Sequence, residues 1–132
     1  MNILIVDDGN VPIKRLKEKY LSEGHKVESA QTLKEAKQKI EKAQSPGFDL
    51  IVSDFDLANN WKQKHRMLDG LRLLRWCKKK GIKSEFILHS KGFDRHRRII
   101  SRLNYPFILG ARKMGAQVQG KKVLLPHVKK PH

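Results

Sequence analysis

Short apolar runs alternate with segments of helical periodicity along this chain, which is the pattern of an α/β fold with a parallel sheet. The apolar runs predict strands at residues 2–6, 26–30, 48–53 and 85–89. The third run is the most apolar, so we expect it at the centre of the sheet. Apolar residues at helical spacing predict helices at 12–22, 33–43 and 68–80.

Local signals indicate where these helices begin and end. Thr32 and Glu35 form a capping box, in which the threonine hydroxyl and the glutamate carboxylate reciprocally accept hydrogen bonds from free backbone amides. Gly24 and Gly81 follow helical segments and are expected to terminate them.

Other segments have weaker patterns. Residues 58–66 show no clear period and are interpreted as a loop. Beyond residue 90 we predict a helix from 94 to about 103, an ambiguous helical piece at 106–116 and a last strand at 122–128. Because Pro126 has no backbone N–H, that last strand is expected at an edge of the sheet.

Length and cysteine content narrow the class of protein. The 132 residues fit one domain, and no apolar stretch approaches the roughly 20 residues needed to cross a bilayer. The chain enters a core strand at once, without the basic and apolar regions of a signal peptide. Cys77 is the one cysteine, which fits a reducing compartment and a helical core position. We therefore expect a cytoplasmic protein without membrane insertion.

The net charge of +16 is unevenly distributed along the chain. No Asp or Glu follows Asp94, whereas ten Arg and Lys residues do. Such a field attracts nucleic acid, acidic proteins or anionic membrane surfaces, and charge alone does not choose among them. A solvated, lysine-rich surface is the alternative interpretation.

Acidic and hydroxyl side chains stand at the ends of three predicted strands. Asp7 and Asp8 follow the first strand, Asp54 the third and Ser90 the fourth. In an open α/β sheet ligands bind at the carboxyl ends of the strands, so these residues predict one site. Because neighbouring carboxylates repel each other, a hard, oxygen-preferring cation such as Mg²⁺ is expected among them.

Taken in order, these segments resemble the receiver domain of two-component response regulators over residues 2–90. Residues 3–8 resemble the first strand and acidic pair of that family, and 48–54 its third strand and phospho-acceptor. Residues 68–71 resemble the start of its third helix, and 87–90 its fourth strand with a switch hydroxyl. The resemblance implies an open, doubly wound parallel sheet of the receiver (flavodoxin-like) type, as a single domain at 1–132.

The resemblance also implies a phospho-accepting signalling protein, and not a turnover enzyme, although self-dephosphorylation is compatible with it. Asp54 would accept a phosphoryl group from the phosphohistidine of a sensor histidine kinase or phosphotransfer protein. Asp7, Asp8 and Asp54, with the backbone carbonyl of Asp56, would hold Mg²⁺. Ser90 would contact the phosphoryl group and transmit the modification to a protein interaction surface.

The chain departs from the family pattern on both sides of the fourth strand. Gly70 lies sixteen residues after Asp54, farther than in the family, and no proline lies between them. Residues 58–66 are therefore interpreted as an insertion beside the site. The segment after Ser90 is too long for one short helix before the last strand, so 104–132 is a divergent, basic C-terminal segment.

The lysine that the family places after its last strand has three candidates. Lys130 precedes a proline, as the family's lysine does, and is our choice; Lys122 and His127 are the alternatives. With Lys130 the family's final helix would be missing, which implies a truncated or altered C-terminal part. One face of the sheet would then be thinly covered, and its apolar surface would favour a partner or a dimer.

A second family offers an enzymatic alternative. Residues 52–57 resemble the Asp-x-Asp signature of haloacid-dehalogenase-type phosphatases, with Asp54 as nucleophile and Asp56 as general acid/base. That signature normally lies on the first strand, however, and here a strand with its own acidic pair precedes it. The late acidic motif of that family is also absent after Asp94. The receiver interpretation is favoured.

A third alternative is a degenerate receiver that acts as a basic module binding nucleic acid or protein. Arg95, Arg98 and Arg102 recur at helical spacing, in the fourth helix that receiver partners contact. No separate DNA-binding motif is present in the sequence. We therefore expect a stand-alone receiver whose output is contact with an acidic protein partner, with nucleic acid as the second candidate.

Overall fold

The computed structural model describes residues 1–43, 47–54, 69–90 and 112–120, in which strands and helices alternate as predicted. The strands are β1 (Asn2–Val6), β2 (Lys26–Ala30), β3 (Leu50–Asp54), β4 (Glu85–Ser90) and β5 (Gln117–Gly120). The helices are α1 (Asn10–Ser22), α2 (Leu33–Lys42) and α3 (Asp69–Lys79). None of these helices is both long and apolar enough to cross a membrane.

The five strands form one parallel sheet in the order β2-β1-β3-β4-β5. The prediction that the third strand is central is confirmed, since β3 lies between β1 and β4. From β1 the chain passes to β2 on one side and then returns to β3 on the other. Such a reversal of direction opens a crevice at the carboxyl ends of the two strands, where ligands bind in open α/β sheets.

The core lies on both faces of this sheet. One apolar cluster joins Leu4, Ile51 and Leu88 to α2 and α3, and a second joins Ile5, Val52 and Ile87 to α1. Every residue of β3 is buried, as expected for a central strand. Fully burying an aliphatic side chain contributes roughly 1.5–3 kcal/mol, so these layers supply much of the stability.

The thin coverage expected for one sheet face is not observed among the described residues. Val52 and Ile87, on the face that α1 covers, are 0% and 2% exposed, and Ile51 on the other face is 0% exposed. The large apolar side chains that are exposed within the described ranges are Val11 and Leu21, both on α1.

The N-terminus of α2 confirms the threonine cap and corrects its reciprocal partner. The N–H of Glu35 donates to Thr32 Oγ1 at 3.1 Å, as the capping box predicts. The Glu35 carboxylate, however, accepts from the N–H of Gln31 at 3.1 Å, one residue before the amide expected. Gly24 and Gly81 follow the helices with positive φ angles of 86° and 73°, which a side chain would disfavour.

The fifth strand was not predicted. β5 pairs with β4 at Gln117–Gly120, and its four residues include one large apolar side chain, Val118, which is too little to predict a strand. The predicted strand at 122–128, the loop at 58–66 and the helix from 94 lie outside the described residues. Of the ambiguous piece at 106–116, residues 112–116 are described, and they contain a short helical stretch at Arg112 and Lys113 followed by a turn.

Cys77 lies in the core, as predicted, and is 3% exposed. Burial raises the pKa of its thiol to about 11, against a lowering by the nearby Lys78 and Lys37. The thiolate is the reactive form of cysteine, so this side chain packs as a neutral apolar group.

Candidate functional site

Three carboxylates converge where β1 and β3 end. Asp7, Asp8 and Asp54 each offer an oxygen, and these atoms all lie within 4.8 Å of one another. The cause is the sheet itself, because Val6 pairs with Ser53 and the next residues of both strands emerge side by side. The structure thus brings together the three acidic residues that the sequence placed at strand ends.

Asp7 is held by the backbone on both sides. Its N–H donates to the carbonyl of Ala30 at 3.0 Å, which continues the pairing of β1 with β2. Its carboxylate oxygen Oδ1 accepts from the N–H of Gly9 at 2.9 Å, and the residue is 1% exposed. These contacts fix one carboxylate of the cluster before any ligand binds.

Gly9 is a site residue that the sequence analysis missed. A Cβ at this position would lie 3.1 Å from Pro12 Cδ and 3.4 Å from Asp7 Oδ1. The glycine therefore allows the chain to turn tightly from the acidic pair into α1, whose first residue is Asn10. The positive end of that helix dipole lies beside the carboxylates and favours negative charge there.

Asp54 ends the central strand and is 6% exposed. The hydroxyl of Ser53 donates to the backbone carbonyl of Asp54 at 2.9 Å, which satisfies a polar group where the strand pairing ends. Three carboxylates this close repel one another, and burial strengthens the repulsion. The cluster is therefore suited to a divalent cation with a preference for oxygen ligands.

The end of β4 completes this edge of the sheet. Asp54 pairs with His89, and Ser90 is the last residue of β4, paired with Gly120 of β5. Ser90 thus lies at the same edge as the carboxylates, one position beyond the pair of Asp54.

His89 is 4% exposed beside Asp54, and the sequence analysis assigned it no role. In the sequence, His89 is a histidine at the end of an apolar strand, and that position by itself indicates a core residue and no functional role.

Other predicted site residues lie outside the described residues. They are Asp56, Lys122, His127, Lys130 and the three arginines Arg95, Arg98 and Arg102. β5 ends at Gly120, so Lys121 and Lys122 follow it directly in the sequence.

No protein-family model and no curated protein matches the sequence. Solved structures do match it over most of its length. A CheY-like response regulator receiver domain protein from Methanospirillum hungatei JF-1 is 28% identical, with a TM-score of 0.67, over 92% of this chain and 82% of that chain. The receiver domain of Francisella response regulator 1452 is 24% identical, with a TM-score of 0.67, over 91% and 83% of the respective chains.

A third similar structure is that of a complex with Mg²⁺–BeF. The response regulator TrrA from Thermotoga maritima, in complex with Mg²⁺–BeF, is 21% identical to this chain, with a TM-score of 0.61. The match covers 93% of this chain and 87% of that one. The resemblance found in the sequence is confirmed by these structures, and the fold of this chain is that of the receiver domains of response regulators.

Proposed function

We propose that this protein is a phospho-accepting receiver of two-component signalling, with Asp54 as the acceptor. The observation that carries the proposal is the cluster of Asp7, Asp8 and Asp54 oxygens within 4.8 Å at the end of β1 and β3. The receiver fold supports it, because the crevice at the reversal of strand order is where such a fold binds its ligand.

Asp54 is the proposed nucleophile. Asp7 is almost fully buried, and its Oδ1 is committed to the N–H of Gly9. Asp54 lies at the end of the central strand, where it pairs with His89, one position before Ser90 of β4. An oxygen of Asp54 attacks the phosphorus of a phosphohistidine whose other ring nitrogen carries a proton. The P–N bond breaks, its electron pair returns to the ring, and the ring leaves as neutral imidazole. The product is an acyl phosphate on Asp54.

Mg²⁺ fits the donor set, which consists of carboxylate oxygens held close together. Asp7, Asp8 and Asp54 would hold the ion, and the backbone carbonyl of Asp56 is proposed as a further ligand. When bound, Mg²⁺ offsets the negative charge on the phosphoryl oxygens.

Two further contacts to the phosphoryl group are proposed from the end of the sheet. The hydroxyl of Ser90 would donate a hydrogen bond to a phosphoryl oxygen, which couples the modification to β4. For the lysine, the end of β5 at Gly120 favours Lys122 over our earlier choice of Lys130. Lys122 follows the strand by two residues, whereas Lys130 follows it by ten.

The proposed donor is a sensor histidine kinase or a phosphotransfer protein. The proposed output is a change in a protein interaction surface that includes Arg95, Arg98 and Arg102, with an acidic partner. The arginine surface rests on the sequence alone, so it remains a prediction.

Beryllofluoride, a mimic of the phosphoryl group, tests the acceptor directly. With Mg²⁺ present it should shift the melting temperature of the wild type, and a small phosphodonor should add one phosphoryl group by intact mass. Asp54→Asn should abolish both effects. Asp49→Asn is the matched control, because Asp49 is exposed directly before β3, at the end opposite to Asp54, and its substitution should leave both effects intact.

Other outcomes of the same experiment favour the alternatives. Repeated release of phosphate from many equivalents of a phosphomonoester would indicate the phosphatase, with Asp54 as nucleophile and Asp56 as general acid/base. Absence of both adduct and thermal shift in the wild type would indicate a degenerate receiver that does not accept phosphate.

A further inference from the structure

The outward surface of α3 carries one sign of charge. Every exposed side chain from residue 72 to residue 80 is an arginine or a lysine. They are Arg72, Arg75, Lys78, Lys79 and Lys80. On a helix, residues three or four positions apart are neighbours, so these side chains form a continuous strip.

A second basic segment lies beside this strip. A Cβ at Gly115 would be 3.8 Å from the Nζ atom of Lys78, so the turn that precedes β5 packs next to α3. Arg112 and Lys113 in that turn are both exposed. We call the strip and this pair together the α3 basic face.

Few acidic groups offset this charge within the described residues. Asp69 binds Arg72 at 2.7 Å, and Glu41 of α2 lies 3.7 Å from Lys80. Arg75, Lys78 and Lys79 have no carboxylate within salt-bridge distance in the described part of the chain. Mutual repulsion in this strip is therefore relieved best by an external polyanion.

An aromatic ring lies at the border of the strip with α2. Trp76 is half-buried, and the Nζ atoms of Lys37 and Lys80 lie 5.6 and 5.5 Å from its ring centroid. These cation–π contacts favour positions of two lysines beside the strip, Lys37 on α2 and Lys80 directly after α3. They add cations at the border that α3 shares with α2.

The composition of this surface distinguishes between classes of partner. Protein interfaces have an apolar core and are depleted in lysine, and membrane-bound helices insert an apolar face. The large apolar side chains exposed within the described ranges are Val11 and Leu21, and both belong to α1. A surface of closely spaced cations, with one half-buried tryptophan and no large exposed aliphatic side chain among its described residues, is suited to the phosphodiester backbone of nucleic acid.

We propose that the α3 basic face binds nucleic acid through its phosphates, without sequence preference. Binding to phosphates fixes position and carries no sequence information, and no described element is arranged to contact base edges. The proposal is independent of the acceptor role of Asp54 and would hold for an unphosphorylated protein.

Fluorescence anisotropy with labelled duplex DNA and single-stranded RNA of equal length, at 50 and 200 mM salt, tests it. The double variant Arg75→Gln/Lys79→Gln should bind at least about tenfold more weakly at the lower salt concentration. Its log–log salt slope on duplex DNA should be smaller by about 2, since each phosphate contact contributes roughly −0.9. Comparison of the affinities for duplex DNA and single-stranded RNA shows which form of nucleic acid the α3 basic face prefers.

A matched variant controls for net charge. Lys14→Gln/Arg15→Gln removes one lysine and one arginine that are exposed on α1, which packs on the opposite face of the sheet. Its affinity should remain close to that of the wild type. An equal loss in both variants would show that whole-molecule charge governs binding and would overturn the proposal.

Two further results would also overturn it. One is the absence of binding by the wild type at 50 mM salt. The other is equally tight binding to an acidic peptide of similar charge or to anionic vesicles, which would assign the face to a different class of partner. A cooperative thermal unfolding transition in each variant would confirm that it is folded.

Discussion

A substitution of Asp8 distinguishes a metal site from an acidic surface that binds no metal ion. Its carboxylate belongs to the cluster with Asp7 and Asp54, but it is less buried than either. Removing it relieves like-charge repulsion and leaves the sheet pairing of Asp7 in place. We therefore expect Asp8 to matter more for the proposed cation site than for the fold.

The expected result is a thermal response to Mg²⁺ that depends on Asp8. At roughly ten times the dissociation constant, Mg²⁺ should stabilise the wild type by about 1.4 kcal/mol, because it binds only the folded state. Asp8→Ala should lose this increment and still unfold cooperatively in differential scanning fluorimetry. Asp49→Asn should keep it. A full Mg²⁺ response in Asp8→Ala would show that the cation binds elsewhere.

The residues of the site differ in how far the sequence revealed them. Asp7, Asp8 and Asp54 were predictable because each follows a run of apolar residues that could only be a buried strand. Gly9 was not, since its role depends on the position of Pro12 across the turn. The place of His89 beside Asp54 depends on the register of β3 with β4, which the sequence does not encode locally.

At the scale of the elements, α2 provides a test of how local signals stabilise the fold. At ten residues it is too short for helical propensity alone to hold it, and the Thr32 cap and the burial of Ala36 and Ile40 are its main anchors. The cap satisfies the N–H of Glu35, one of the amides that has no partner within the helix.

Thr32→Ala should lower the free energy of unfolding by about 1 kcal/mol. Thr32→Ser is the matched control, because serine retains the hydroxyl acceptor. It should lower the free energy of unfolding by only a fraction of the amount expected for Thr32→Ala. Urea denaturation followed by circular dichroism measures both, with an unchanged m-value indicating that the unfolded state is not altered. Equal losses in the two variants would assign the effect to the threonine methyl group and not to the cap.

The contrast between the strands shows what hydrophobic pattern predicts. β1 and β2 have the predicted bounds and β3 the predicted central place. Buried apolar runs determine β1 and β3, whereas β2 is a partly exposed edge strand. β5 has the sequence Gln-Val-Gln-Gly and belongs to the sheet through backbone pairing with β4. A strand held by backbone hydrogen bonds leaves little signal in side-chain periodicity.

At the scale of the whole molecule, the net charge of +16 opposes compactness. The described salt bridges lie at the surface, as between Lys19 and Glu23 or Lys39 and Glu35, and such pairs contribute little. Repulsion among the remaining cations acts over longer distances and is screened over about 10 Å at 0.1 M salt. Adding a neutral salt should therefore reduce repulsion more than it weakens attraction.

We expect the melting temperature to rise with KCl between about 20 and 300 mM, because screening relieves repulsion in the folded state. A gain on the order of 1 kcal/mol would raise it by roughly 4 °C for a domain of this size. The melting temperature of Arg75→Gln/Lys79→Gln should rise less with KCl than that of Lys14→Gln/Arg15→Gln. The reason is that Arg75 and Lys79 are like charges one helical turn apart, whereas Lys14 has Glu18 at that spacing. A melting temperature that falls with KCl would mean that attractive pairs outweigh the repulsion. The α3 basic face would then lack the unrelieved charge from which its binding to nucleic acid is inferred.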